Sequence, residues 1–210
     1  LYNLLMVIII IFSPVIVFYR ILKKKENPKR FLEKFGFFQK KRANGKLIWF
    51  HCSSVGELLS IAPLIERFEK DIDIKSILIS TSTLSSSKIF EKFKFKKTIH
   101  QFYPIDNPLI VNKFLCYWKP AAVFFVESEI WPEMLRGLKR KKIKTFLLNA
   151  RISKNSFYRW KYFKDFGVSV FGIFDYIFPQ NRETFNYLKH FKVKKMKILG
   201  NLKFSESKRI

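Results

Sequence analysis

An α/β domain built on a mostly parallel sheet is what this 210-residue sequence predicts. Two observations carry the prediction. Short apolar, β-rich runs alternate with amphipathic helical patterns, and polar, charge-bearing segments recur just after the runs. A hydrophobic content of 48% supplies enough apolar surface for a sizeable core.

In chain order the runs are KLIWF from Lys46, SILIST from Ser76, TIHQFYP from Thr98, AAVFFVE from Ala121 and KTFLLNA from Lys144, with weaker ones at DYIFP and MKILG. Helical patterns are expected at Glu57 to Lys70, Ser85 to Phe95, Pro108 to Trp118, Glu133 to Lys142 and Ser156 to Val170. The whole reads as a Rossmann-like domain of about seven strands over residues 47–204, with no internal repeat.

Residues 1–19 carry no charge, and as a helix they would cover roughly 28 Å, close to the hydrocarbon thickness of a bilayer. This predicts a membrane anchor, spanning or monotopic, with Pro14 inside it. A signal peptide would place its basic residues before the apolar run; here they follow it. Between Arg20 and Lys46 stand eleven Lys or Arg and two Glu, so residues 20–46 read as a basic juxtamembrane linker. The positive-inside rule then puts the following domain on the cytoplasmic side.

A formal charge of +25 predicts attraction to nucleic acid, anionic lipid or phosphorylated ligands. Lysine is abundant everywhere, so the charge specifies an anion and not which one. No RNP aromatic motif, zinc finger or recognition helix supports nucleic acid. Cys52 and Cys116 lie far apart, and His51, His100 and His190 form no HExxH, so neither a disulfide framework nor a metal site is expected. The absence of GxGxxG and GxxxxGK[ST] argues against a dinucleotide or nucleoside triphosphate, and no cofactor is expected.

In such a sheet, ligands bind beyond the carboxyl ends of the strands. There HCSSVGE places Ser54 and Glu57 as S-x-x-E at a helix start. Its two readings, a capping box and a proton-accepting carboxylate, are compatible. Gly56 beside them leaves the backbone open to a substrate. VESEIWPE follows another run; if the strand persists, Glu127 and Glu129 point the same way, and if it ends at Val126, one faces the crevice and the other caps the helix after Pro132. NARIS brings Asn149 and Arg151 to the same edge, where an arginine can grip a carboxylate or phosphate. GNLKF brings Lys203.

Taken together and in this order, HCSSVGE, YPIDNP, VESEIWPE, NARIS, PQNRETFNYL and GNLKF resemble the N-terminal half of the Kdo (3-deoxy-D-manno-octulosonic acid) transferases of lipopolysaccharide biosynthesis. The resemblance implies a GT-B glycosyltransferase, two Rossmann-like domains around a cleft, at the cytoplasmic face of the cell inner membrane. It implies inverting transfer of Kdo from CMP-Kdo to a phosphorylated lipid A precursor, lipid IVA. On the matching positions, Glu57 is the general base, and Glu127 and Lys203 stabilise the transition state. Ser54, Gly56, Ser82 and Arg151 are the expected acceptor contacts, with the loop from Ser80 to Ser87 around Ser82. The family continues past GNLKF into a donor-binding domain, so transfer is expected to need a second domain beyond Ile210.

Overall fold

The computed structural model describes residues 2–200, and the side chains of residues 2–11 lie outside what is described. Its centre is a parallel sheet of six strands in the order β3-β2-β1-β4-β5-β6. These are β1 (Lys46–His51), β2 (Ile74–Thr81), β3 (Thr98–Phe102), β4 (Ala122–Val126), β5 (Lys144–Ala150) and β6 (Tyr176–Pro179). All pairings are parallel. The strand order reverses between β1 and β4, which makes that seam the switch point where a crevice opens at the carboxyl ends.

Both faces of the sheet are covered, as its near-continuous apolar strands require. Alternation decides which residue goes where. Leu47 and Trp49 of β1 enter the larger core with Val123 and Phe125 of β4, while Ile48 and Phe50 enter the other with Ile77 and Ile79 of β2. The second face carries a ladder of stacked rings, Phe50 on Phe124 and Phe124 on Phe146, with centroids 5.0 and 4.9 Å apart.

The helices are α1 (Tyr2–Leu22), α2 (Val55–Glu69), α3 (Leu84–Phe90), α4 (Pro108–Trp118), α5 (Pro132–Arg140), α6 (Lys154–Tyr162), α7 (Lys164–Phe171) and α8 (Arg182–His190). Two helical regions and one strand differ from expectation. The span 156–170 is two helices, because Phe163 takes a non-helical backbone, φ −106° and ψ 53°. Residues 182–190 form a helix that their mostly polar pattern did not announce; Asn181 caps it by accepting the Thr184 N–H at 2.8 Å. The run at MKILG adds no seventh strand to the sheet, only a single bridge between Ile177 and Met196.

The apolar N-terminus is helical, as α1. Among the described residues no helix is long and apolar enough to cross a membrane, and the expected anchor falls largely on residues whose side chains are outside that set.

The basic segment after α1 folds back onto the sheet. A 3-10 turn at Phe31–Phe35 ends at Gly36, whose φ of 79° is left-handed and whose N–H reaches the Glu33 carbonyl. The two lone acids of this segment are its anchors. Glu33, 1% exposed, accepts two bonds from Arg30, at 2.6 and 3.0 Å, and one from the Phe102 N–H on β3. Glu26, also buried, accepts from Arg20 at 3.2 Å and Lys34 at 2.7 Å.

Candidate active site

β1 delivers the loop 52–54 to the switch point, and α2 starts immediately after it. Ser54 is the N-cap: its Oγ accepts the Glu57 N–H at 3.3 Å and donates to Glu57 Oε1 at 3.0 Å. Glu57 Oε2 accepts the Ser53 N–H at 2.8 Å. The reciprocal part of a capping box is thus made one residue earlier than usual, at Ser53. The capping contacts hold the carboxylate in place and do not compete with a chemical role.

Glu57 is buried, and burial pushes its carboxyl up to about 7. The Ser53 and Ser54 hydrogen bonds work against this shift, while the neighbouring charges of Glu129 and Glu127 add to it. A carboxyl tuned to neutrality can accept a proton at physiological pH and release it again, which is what general base catalysis needs.

β4 ends at Val126, and Glu127 takes a left-handed backbone, φ 56°, uncommon for a residue with a side chain. Asn149, at the end of β5, does the same at φ 52°. The two turns are tied together: the Glu127 N–H donates to the Leu148 carbonyl at 2.9 Å, and Asn149 Nδ2 donates to Glu127 Oε1 at 3.5 Å. Two strained residues locked to each other at a sheet edge mark a site where geometry is held at a cost.

β4 ends at Val126, yet neither Glu127 nor Glu129 caps the following helix, contrary to one of the alternatives expected from the sequence. The α5 first turn is satisfied by Asp106 of the PIDNP segment, whose carboxylate accepts the Glu133 and Met134 N–H groups at 2.9 and 2.7 Å. Glu129 turns inward. Its Oε2 accepts from His51 Nε2 at 2.9 Å and from the Trp131 indole N–H at 2.8 Å. Burial pushes this carboxyl up, but the bonds from His51, Trp131 and Ser53 outweigh it and hold the group below the usual carboxylate range. His51 is fully buried, stacks on Tyr103 at 3.8 Å and meets Ser80 Oγ at 3.0 Å through Nδ1.

Glu57, Glu127 and their partners Ser53, His51 and Glu129 therefore converge across the β1–β4 seam. Ser54 and Gly56 are exposed on the same first turn of α2. Ser82 lines a cavity of about 230 Å³ shared with Lys34, Tyr103 and Trp131. Arg151 is exposed beyond β5, its N–H donating to the Glu127 carbonyl at 3.3 Å and its own carbonyl accepting from Ser128 Oγ at 2.8 Å. Lys203 lies outside the described residues. Sequence reasoning did not select His51 or Ser53. Their importance is a pairing across 78 positions, from His51 to Glu129, and local spacing carries no trace of it. Among the described residues no three His, Cys, Asp or Glu side chains form a metal-binding group.

The family model described as 3-deoxy-D-manno-octulosonic-acid transferase (kdotransferase) matches residues 29–206. The chain belongs to the Kdo transferase family. A Kdo transferase of Rickettsia bellii is 34% identical over 194 residues, covering 92% of this chain and 46% of that protein. A Haemophilus influenzae Kdo transferase is 26% identical over 207 residues, 94% of this chain and 48% of that one. A probable mitochondrial Kdo transferase of Arabidopsis thaliana is 37% identical over 142 residues, 68% of this chain and 32% of that one. The chain thus spans half or less of the length of these relatives, as the N-terminal domain of a Kdo transferase would. Among solved structures, a UDP-N-acetylglucosamine 2-epimerase of Rickettsia bellii superposes with a TM-score of 0.57 at 16% identity, over 79% of this chain and 47% of the other. A putative epimerase of Listeria monocytogenes gives 0.58 at 13%, over the same shares. At such identities the likeness is one of fold.

Proposed function

We propose that this Kdo transferase domain is the acceptor-side half of a GT-B enzyme that moves Kdo from CMP-Kdo to a phosphorylated lipid A precursor at the cytoplasmic face of the inner membrane. The observation that carries the reading is Glu57, a buried carboxyl brought to about 7 and held by Ser53 and Ser54 at the switch point.

In the reaction the acceptor hydroxyl gives its proton to Glu57 as its oxygen bonds to the anomeric carbon of Kdo. The bond from that carbon to the CMP phosphate breaks, and its electron pair leaves with the phosphate. The anomeric carbon becomes electron-poor on the way. Glu127, and Glu129 held by His51 and Trp131, supply negative charge on the side where it develops. Lys203 is assigned to the departing phosphate. Ser54, Gly56, Ser82 and Arg151 are assigned to the acceptor. Membrane attachment is assigned to α1, whose Phe12, Val15, Ile16, Phe18 and Leu22 are exposed apolar side chains.

The test is complementation in cells depleted of their own Kdo transferase. This chain together with a donor-binding half should restore growth and Kdo transfer, and the same pair carrying Glu57→Ala should not. Full rescue by the Glu57→Ala pair would remove the base from the mechanism.

A further inference from the structure

Ser80 opens the stretch from which acceptor contacts are expected, yet it lies on β2 with no exposed surface. It belongs instead to a chain of polar groups that runs from the core to the candidate site. The Trp49 indole N–H donates to Ser80 Oγ at 2.8 Å. Ser80 Oγ is 3.0 Å from His51 Nδ1, and His51 Nε2 is 2.9 Å from Glu129 Oε2, which also accepts the Trp131 indole N–H at 2.8 Å. Trp49, Ser80 and His51 are all fully buried. Tyr103 stacked on the imidazole at 3.8 Å and Phe125 edge-on at 5.8 Å hold the plane of the ring.

The direction of this chain follows from what each group can do. An indole N–H only donates, so the tryptophan at each end faces an acceptor. Having accepted from Trp49, the Ser80 hydroxyl has its own hydrogen left to give, and His51 Nδ1 is within reach of it. Nδ1 therefore accepts, the neutral ring carries its proton on Nε2, and Nε2 donates to Glu129. The competing partner for Nδ1 is the Ser80 carbonyl at 3.1 Å, which can only accept and already holds the Cys52 N–H at 3.0 Å. A proton on Nδ1 would turn to that carbonyl and leave the Ser80 hydrogen facing it without an acceptor, a costly state in a fully buried position.

We propose that Ser80 is a positioning residue for the transfer reaction: with Trp49 behind it, Ser80 fixes His51 as the Nε2–H tautomer, and His51 in turn holds Glu129 as an anion beside Glu57. The consequence for the chemistry rests on the proposed transfer reaction; the tautomer rests on the hydrogen bonds alone. With the proton on Nδ1, the Nε2 lone pair would face the Glu129 carboxylate at 2.9 Å, and Glu129 would have to take up a proton or turn away. Either change removes negative charge from the seam where the anomeric carbon becomes electron-poor, and with it one of the charges that bear on Glu57.

The test is the ¹⁵N NMR signature of His51 in the whole chain at neutral pH, assigned by comparison with His51→Gln. Nε2 should resonate as a protonated, pyrrole-type nitrogen and Nδ1 as an unprotonated, pyridine-type one. In Ser80→Ala, which keeps the carbonyl and removes the hydroxyl, the two signatures should exchange. A proton on Nδ1 in the parent, alone or together with one on Nε2, or an unchanged tautomer in Ser80→Ala, would overturn the proposal. Paired with a donor-binding half, Ser80→Ala should lower kcat for Kdo transfer about a hundredfold and leave the acceptor KM within about twofold, because Ser80 acts through Glu129 and touches no acceptor. A raised KM at unchanged kcat would make Ser80 a binding residue and contradict this. At His51 itself, a glutamine amide reaches the place of Nε2 and an asparagine amide only that of Nδ1. His51→Gln should therefore transfer at least about ten times faster than His51→Asn, the worth of one bond to a carboxylate; equal loss in both would reduce His51 to packing. The tautomer is read without any transfer, so a parent pair that moves no Kdo would count against the proposed reaction and leave the relay to the ¹⁵N spectra.

Discussion

The carboxyl edge of the sheet is divided between two environments that treat charge in opposite ways. At the β1–β4 seam three of the chain's sixteen acidic side chains, Glu57, Glu127 and Glu129, crowd together in a protein of net charge +25. Over β3, acids and bases are matched: Arg30 on Glu33, Arg20 and Lys34 on Glu26. The consequences appear in two buried groups. Burial, aided by the neighbouring carboxylates, drives Glu57 up to about 7; burial, with Arg30 and Lys40 alongside, drives His100 down to about 3. The matched flank fixes where the α1 segment sits. The crowded centre leaves a carboxyl poised to exchange a proton.

The two groups have opposite linkage to pH, which gives the sharpest ways to break the comparison. His100 accepts from Arg30 at Nδ1 and donates to Thr81 through Nε2, so it is held neutral. Unfolded, it protonates below about 6.5, while the folded form resists to about 3. Its contribution is therefore complete above pH 6.5 and is lost as pH falls through that window, to a total of about 5 kcal/mol. His100→Gln should flatten this acid slope in denaturant unfolding; an unchanged slope would refute the assignment. Next in size, Glu33→Ala leaves Arg30 and the Phe102 N–H without their buried partner. It should cost about 4 kcal/mol in the same assay, where a surface ion pair would cost less than about 1.

Glu57 runs the other way. The folded chain keeps its proton from about 4.5 up to about 7, where the unfolded chain has released it, so stability falls as pH rises through that range. Glu57→Gln should be more stable than the parent by about 3 kcal/mol at pH 8 and equal to it near pH 4. A constant difference would mean that Glu57 is an ordinary cap. The smallest effect belongs to Ser54→Ala, about 1 kcal/mol from the lost N-cap. Because the Ser54 hydroxyl donates to the carboxylate, the same change should raise the Glu57 titration further.

The alternation of strands and helices, and the polar edge of the candidate site, were legible because buried parallel strands are plain apolar runs and their carboxyl ends are plain polar breaks. The placing of Glu57, Glu127 and Arg151 at that edge was read this way. What was not legible depends on contacts distant in sequence. Glu26 and Glu33 look like stray acids in a basic linker until β3 and Lys34 are brought to them. His51 looks like a buried strand residue until Glu129 arrives from the far side of the seam. The α8 helix hid because its apolar face is only Phe185, Leu188 and a few neighbours, although the N-x-x-T cap at Asn181 was a usable signal. Past the break at Phe163, the α7 backbone at Gly167 lies against Phe191, where an added Cβ would stand 2.8 Å from the ring, a contact that local sequence does not announce.

The most direct measurement is a carboxyl ¹³C NMR titration of Glu57 in the whole chain, assigned by comparison with Glu57→Gln and repeated in Glu129→Gln. A midpoint near 7, falling when Glu129 loses its charge, is what this account requires. A midpoint near 4.5 that ignores Glu129 would contradict it and return Glu57 to the role of a helix cap.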